Sequence, residues 1–156
     1  MESKVLPTQN KRGFTYKLSK YGDAFLDYAR KSKYPVVDIG CAYGVATIPA
    51  LRTGANVIAV DMDANHLQTI QESVPEKWRK RLTLLQGKFP FELNFAEASI
   101  GAFYISHVLP FLTPEEIGEA VHKLYKWLVP GGKVFIISFS PFIKLCEGFL
   151  PVYWHQ

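Results

Sequence analysis

The sequence predicts an α/β fold, a mostly parallel sheet with helices on both faces. Three observations carry this. Short apolar, partly β-branched runs at 36–39, 57–60, 82–85, 100–105 and 133–138 have the composition of buried strands. Stretches with helical spacing, at 47–52, 64–73 and 114–128, lie between them. Glycines and prolines punctuate the changes of period, at Gly40, Gly44, Gly54, Val74-Pro75 and Pro130-Gly131-Gly132. At 156 residues the chain has the length of one domain, and 48% apolar residues suffice for a core.

Residues 1–19 carry Pro7, Gly13 and several lysines with little periodicity, which predicts a loosely docked arm before a domain at 20–156. The helical stretch 21–30 places Tyr21, Ala24, Phe25 and Tyr28 on one face. Pro35 closes the connection to the first strand, Val36-Val37-Asp38-Ile39. Gly40 and Gly44 then bracket a tight turn, where glycine allows positive φ and close approach of a ligand to the main chain. A short helix at 47–52 ends at Gly54, with Pro49 tolerable only near its first turn. The second strand ends in an acid, Asp61. Asp61 stands about 20 residues past Gly40, where nucleotide-binding βαβ units place a ribose-hydroxyl acceptor.

Asp63 is the expected N-cap of the helix 64–73, which turns Leu67 and Ile70 inward. Residues 78–81 lead into the third strand. The fourth strand ends at Ser106-His107. Thr113, Pro114 and Glu116 form an expected capping box for the next helix, with Ile117, Val121, Leu124 and Leu128 inward. Pro130-Gly131-Gly132 breaks it before the fifth strand.

The glycine turn has two readings. A nicotinamide or flavin site needs G-x-G-x-x-G; aligned on Gly40, the second glycine is Ala42, a tolerable change, and the third is Val45, which opposes close helix–strand packing. The spacing Asp38-x-Gly40-x-x-x-Gly44 resembles motif I of the class I S-adenosylmethionine-dependent methyltransferases. The resemblance covers residues 21–138, and Leu128-x-Pro130-Gly131-Gly132-Lys133 is a further feature similar to that family.

The resemblance implies a Rossmann-like three-layer sandwich with five readable strands in the order 3-2-1-4-5. It implies S-adenosyl-L-methionine as cofactor. Asp38 and Gly40 would border its methionine portion, Gly44 would permit the turn, Asp61 would accept from the ribose hydroxyls, and Met62 and Phe89 would flank adenine. The family usually places an acid or amide where this chain has Lys88, and lysine only donates. Adenine is then expected to be read by main chain, Gln86 or Phe89. Ser106 and His107 fall at the carboxyl end of the fourth strand, where methyl transfer would occur. His107 is a candidate general base; a half-buried histidine bonded to backbone is the plainer reading. The Asn/Asp-Pro-Pro-aromatic motif of the family's base- and amide-methylating branch is absent there.

The family sheet has seven strands, ordered 3-2-1-4-5-7-6. The expectation is therefore either a truncated chain or an apolar fifth-strand edge covered by the C-terminal residues or by a second copy. Phe14 and Tyr16 in the arm are candidates to line a substrate pocket, with simple aromatic packing as the competing reading. The sequence leaves the acceptor open, with an apolar small molecule or lipid suggested by the aromatic arm. A catalytically inactive binding domain on the same fold is the alternative.

The net charge of +4 is mild, and Arg79-Lys80-Arg81 reads as a solvated face rather than a nucleic-acid site. Cys41 and Cys146 provide neither a disulfide framework nor a metal cluster. No leader is evident and no apolar run is long enough to span a bilayer, so a cytoplasmic setting is the default expectation.

Overall fold

The computed structural model describes residues 17–140, together with the backbone of two short strands in the arm, β1 (Leu6–Pro7) and β2 (Phe14–Thr15), which pair antiparallel. The side chains of Phe14 and Tyr16, and residues 141–156 with the expected covering of the fifth-strand edge, lie outside the described residues.

The remaining strands are β3 (Val36–Ile39), β4 (Val57–Asp61), β5 (Leu82–Gln86), β6 (Ile100–Ser106) and β7 (Leu128–Ile137). They form one five-stranded sheet in the order β5-β4-β3-β6-β7, and every pair is parallel. This is the expected 3-2-1-4-5 order of a Rossmann-like sheet. The chain grows outward on one side through β4 and β5, then returns to the other side of β3 with β6. The strand order therefore reverses between β3 and β6, the position at which such sheets open a crevice.

The period of two along each strand divides the core into two layers. Val36, Val57, Ala59, Ala102 and Tyr104 face one cluster, and Val37, Val60, Phe103 and Ile105 face the other. Helices α1 (Lys20–Lys31), α2 (Thr47–Arg52) and α3 (Ala64–Ser73) supply Phe25, Ala29, Leu51, Leu67 and Ile70 to the first. Helix α5 (Pro114–Trp127) and the loop before β6 supply Leu124, Trp127, Phe89 and Leu93 to the second. A one-turn helix, α4 (Glu76–Arg79), precedes β5 where the sequence suggests only a lead-in.

Two helix faces differ from expectation. The buried stripe of α1 is Gly22, Phe25 and Ala29, while Tyr21 is 64% exposed and Ala24 is exposed. Phe25 sets this phase by packing on Tyr104 (ring centroids 4.8 Å apart) and on Phe135 (5.7 Å). In α5 the inward residues are Ala120, Leu124 and Trp127, and Val121 is 62% exposed. Trp127, the largest fully buried side chain, packs edge-on against Phe95 at 5.0 Å and lies 6.0 Å from Phe103, which turns Val121 outward. The capping box of Thr113 and Glu116 forms as expected. β7 also starts earlier than expected, at Leu128, with an irregularity in its pairing to β6 between Ile100 and Ala102.

Candidate functional site

Three strand ends build the site. Ile39 pairs with Val60 on one side and Ile105 on the other. The next residues along each strand, Gly40, Asp61 and Ser106, therefore leave the sheet at one level, around the point where strand order reverses.

The loop after β3 is wound tightly. The amides of Gly40 and Cys41 both donate to the Val60 carbonyl, at 2.9 and 3.0 Å, and Gly44 N–H donates to the Cys41 carbonyl at 2.7 Å. Gly40 and Gly44 take positive φ, 70° and 77°, and Ala42 joins them at 42°. A Cβ on Gly40 would stand 2.6 Å from Val108 Cγ2, so both backbone and packing require glycine there. Ala42 adopts the left-handed region despite its Cβ, and its N–H donates to Asp61 Oδ2 at 3.0 Å. That bond to a carboxylate offsets a strain of about 1 kcal/mol.

Among the described residues, the buried polar side chains are Asp38, Thr47, Asp61 and His66, and they form two pairs at this end of the sheet. The Thr47 hydroxyl donates to Asp38 Oδ2 at 2.6 Å. Burial pushes the Asp38 carboxyl up from 3.8 to about 6; hydrogen bonds from Thr47 oppose that, and the neighbouring Asp61 adds to it. His66 Nδ1 lies 3.1 Å from Asp61 Oδ1. Asp61 Oδ1 also accepts from Asp63 N–H at 2.9 Å. Tyr43 meets the His66 ring edge-on, with centroids 5.4 Å apart. Neither Thr47 nor His66 stands out in the sequence. Thr47 had a signal in its place on the first turn after the glycine loop, and His66 in its place on the apolar stripe with Leu67 and Ile70.

Met62 follows Asp61 and is 45% exposed. Its carbonyl accepts from Gln86 Nε2 at 3.3 Å, and Gly87 N–H donates to the Asp61 carbonyl at 3.0 Å. These bonds hold the end of β5 against the end of β4. Phe89 is 5% exposed within the second core cluster, so its ring offers little face to a ligand. Lys88 turns to α5, where its ammonium lies 3.1 Å from Glu116 Oε1. The Thr113 N–H and then Lys88 hold the Glu116 carboxyl below its ordinary range.

Across the crevice, Ser106 ends β6 half-buried, and its side chain hydrogen-bonds Tyr104, whose phenol burial pushes upward. His107 takes φ 57°, donates its N–H to the Ile137 carbonyl at 2.7 Å, and stacks on Phe139 at 4.2 Å. Burial holds its pKa below the ordinary histidine value, which favours the neutral imidazole. Cys41 is buried, and burial pushes its thiol well above its ordinary range, which disfavours the reactive thiolate. No group of three or more metal-ligating side chains occurs among the described residues.

A profile described as a methyltransferase domain matches residues 36–132. Among curated proteins, the chain is 27% identical over 125 residues to a carboxy-S-adenosyl-L-methionine synthase of Shewanella loihica, covering 72% of this chain and 48% of that one. It is 25% identical over 115 residues to a magnesium-protoporphyrin O-methyltransferase of Rhodobacter capsulatus, covering 67% of this chain and 48% of that one. The chain thus spans about half the length of these relatives. Among solved structures, the glycopeptide N-methyltransferase MtfA complexed with sinefungin superposes with a TM-score of 0.66 at 23% identity, over 85% of this chain and 54% of that one. A putative S-adenosyl-L-methionine-dependent methyltransferase of Methanococcus maripaludis gives 0.64 at 14% identity, over 86% and 61%. The two structural likenesses establish the shared fold. With the glycine turn, the paired carboxylates and the strand order, the matched profile gives one answer: the chain belongs to the methyltransferase domain family, within the class I S-adenosylmethionine-dependent methyltransferases.

Proposed function

We propose that this chain forms the cofactor-binding part of an S-adenosylmethionine-dependent methyltransferase acting on a small-molecule acceptor. One observation carries the reading: the Asp61 carboxylate is held at the carboxyl end of β4 beside a glycine turn by two main-chain donors, Ala42 N–H on Oδ2 and Asp63 N–H on Oδ1. A carboxylate has about four lone-pair sites, so each oxygen keeps acceptor capacity for a ligand hydroxyl. The donor set therefore fits a ribose.

When bound, S-adenosyl-L-methionine supplies a methyl group on a sulfonium, already activated for in-line displacement. Asp61 accepts from ribose, and the half-exposed Met62 provides an apolar wall for adenine. Asp38, with Thr47 behind it, presents negative charge near the methionine portion, and the Gly40 and Gly44 turn keeps the main chain close. Ser106 and His107 face the acceptor side, where neutral His107 can take up the proton that a hydroxyl or amine acceptor releases. The remaining task is positioning, which needs no further catalytic side chain.

The named activities of the relatives differ, including carboxy-S-adenosylmethionine synthesis and porphyrin O-methylation. They support the cofactor class and leave the acceptor to experiment. The alternative is a binding domain without turnover, favoured by Lys88, which occupies the usual adenine-reading position and is engaged with Glu116 instead.

Calorimetric titration of S-adenosylhomocysteine into the wild type and Asp61→Ala tests the reading. Binding by the wild type, weakened in the variant by about 1–3 kcal/mol, supports the pocket. A folded wild type without binding rejects it. Binding without methyl transfer to any acceptor in a small-molecule panel favours the domain without turnover.

A further inference from the structure

We propose that the outer face of α5 is a self-association surface, on which a second copy of this chain docks its own α5 antiparallel across a two-fold axis. The surface lies away from the sheet, and the inference is independent of the cofactor reading. A helix that serves one core needs one apolar stripe. In α5 that stripe is Ala120, Leu124 and Trp127. The helix also carries Val121, 62% exposed, and Tyr125, 85% exposed, one turn apart and turned from the core. Exposed apolar residues taken singly are ordinary. Here a glycine joins them. Gly118 stands inside the helix, where glycine is less favourable than alanine because more backbone freedom is lost on folding. A Cβ at Gly118 would meet nothing within 4 Å, so nothing within one chain requires glycine there. A missing Cβ on a helix surface lets another element pack close against the backbone.

Charge pattern identifies the occupant. Residues step about 100° around a helix, which places Pro114, Gly118, Val121, His122 and Tyr125 within one arc of about 100°. All five are exposed. Glu115, in the first turn, and Lys126, in the last, are exposed on the same flank of that arc. When a two-fold axis relates two antiparallel helices, this flank of one meets this flank of the other, running in opposite directions. Glu115 of each copy then lies beside Lys126 of the other, and the two helix dipoles oppose. Parallel pairing would instead set acid beside acid. In the antiparallel register Gly118 faces Tyr125 of the second copy, so the ring rests where the Cβ is missing. Lys126 also lies 2.9 Å from Glu97, a pair exposed at both ends, and its ammonium keeps donors for another carboxylate. The 14 residues of α5 span about 21 Å, a small contact that makes a weak, concentration-dependent dimer.

Sedimentation equilibrium of the chain from about 5 to 500 µM tests the proposal, with circular dichroism to check folding. The wild type is expected to pass from monomer to dimer within that range. Tyr125→Glu, at a site too exposed to serve the core, should weaken dimerisation by roughly tenfold or more, because the two-fold axis counts the loss twice. Gly118→Gln should weaken it by a similar factor while raising Tm in dilute solution, since the helix itself improves. Glu115→Lys and Lys126→Glu should each weaken dimerisation by about threefold, and the two together should return it to near the wild-type value, because every acid again meets a base. That recovery is specific to an antiparallel second copy. A wild type that stays monomeric throughout overturns the proposal and leaves the face to a different occupant. A dimer unmoved by Tyr125→Glu and Gly118→Gln also overturns it, as association then uses another surface. So does a doubly reversed variant that folds and associates no better than the single ones. Should Glu115→Lys fail to fold, Tyr125→Glu and Gly118→Gln decide.

Discussion

At the scale of the residue, Asp38 carries a measurable consequence. Burial raises its carboxyl from 3.8 to about 6 in the folded protein. Well below pH 3.8 both folded and unfolded chains hold the proton, and this group adds no pH dependence to stability. Between about pH 4 and 6 the unfolded chain releases it first, so this group lowers stability as pH rises, by up to about 3 kcal/mol above pH 6. Asp38→Asn removes that dependence while leaving an oxygen for the Thr47 hydroxyl. Urea unfolding at pH 4, 5 and 7 should show the variant gaining on the wild type toward pH 7; an equal gap at all three values would refute the assignment. Gly40→Ala meets two obstacles at once, a φ of 70° and Val108 Cγ2 at 2.6 Å. A loss of about 1–3 kcal/mol is expected, read from the same unfolding curves.

At the scale of the element, α5 illustrates how capping and phase divide the work. Its first turn is closed by Thr113 and Glu116, and Glu116 also receives Lys88 from the loop after β5. Thr113→Ala should cost about 1 kcal/mol in denaturant unfolding through the lost cap. Its last turn is anchored by Trp127 against Phe95 and Phe103. Trp127→Ala should cost about 3–5 kcal/mol. Val121→Ser on the exposed face should stay within about 0.5 kcal/mol. A large effect at Val121 would mean that this face is covered in solution.

At the scale of the whole molecule, the sheet separates two cores and gathers Gly40, Asp61 and Ser106 at its carboxyl edge, the proposed binding face. A ligand that binds only the folded state adds stability by mass action. S-adenosylhomocysteine at a hundred times its dissociation constant should stabilise the wild type by about 2.7 kcal/mol, seen as a rise in Tm. Asp61→Ala at the same concentration should show a smaller rise. No helix among the described residues is long and apolar enough to cross a membrane.

Much of this fold is legible in the sequence because local rules carry it. Strands β3, β4 and β6 and helices α2 and α3 follow from apolar runs, glycines and caps within a few residues of each end, and motif spacing points to Asp38, Gly40 and Asp61. Helix phase is less local. Both Val121 and Trp127 are apolar, and the rings of Phe95 and Phe103, distant in sequence from Val121, decide which faces the sheet. The partners of the buried acids depend wholly on tertiary structure. Parallel pairing of β3 with β4 puts Ala42 beside Asp61, and the docking of α3 brings in His66. Residue spacing along the chain places the acids and the turn. Only the packed sheet decided which donors meet each carboxylate oxygen, because a hydrogen bond depends on distances that strand register and helix docking set.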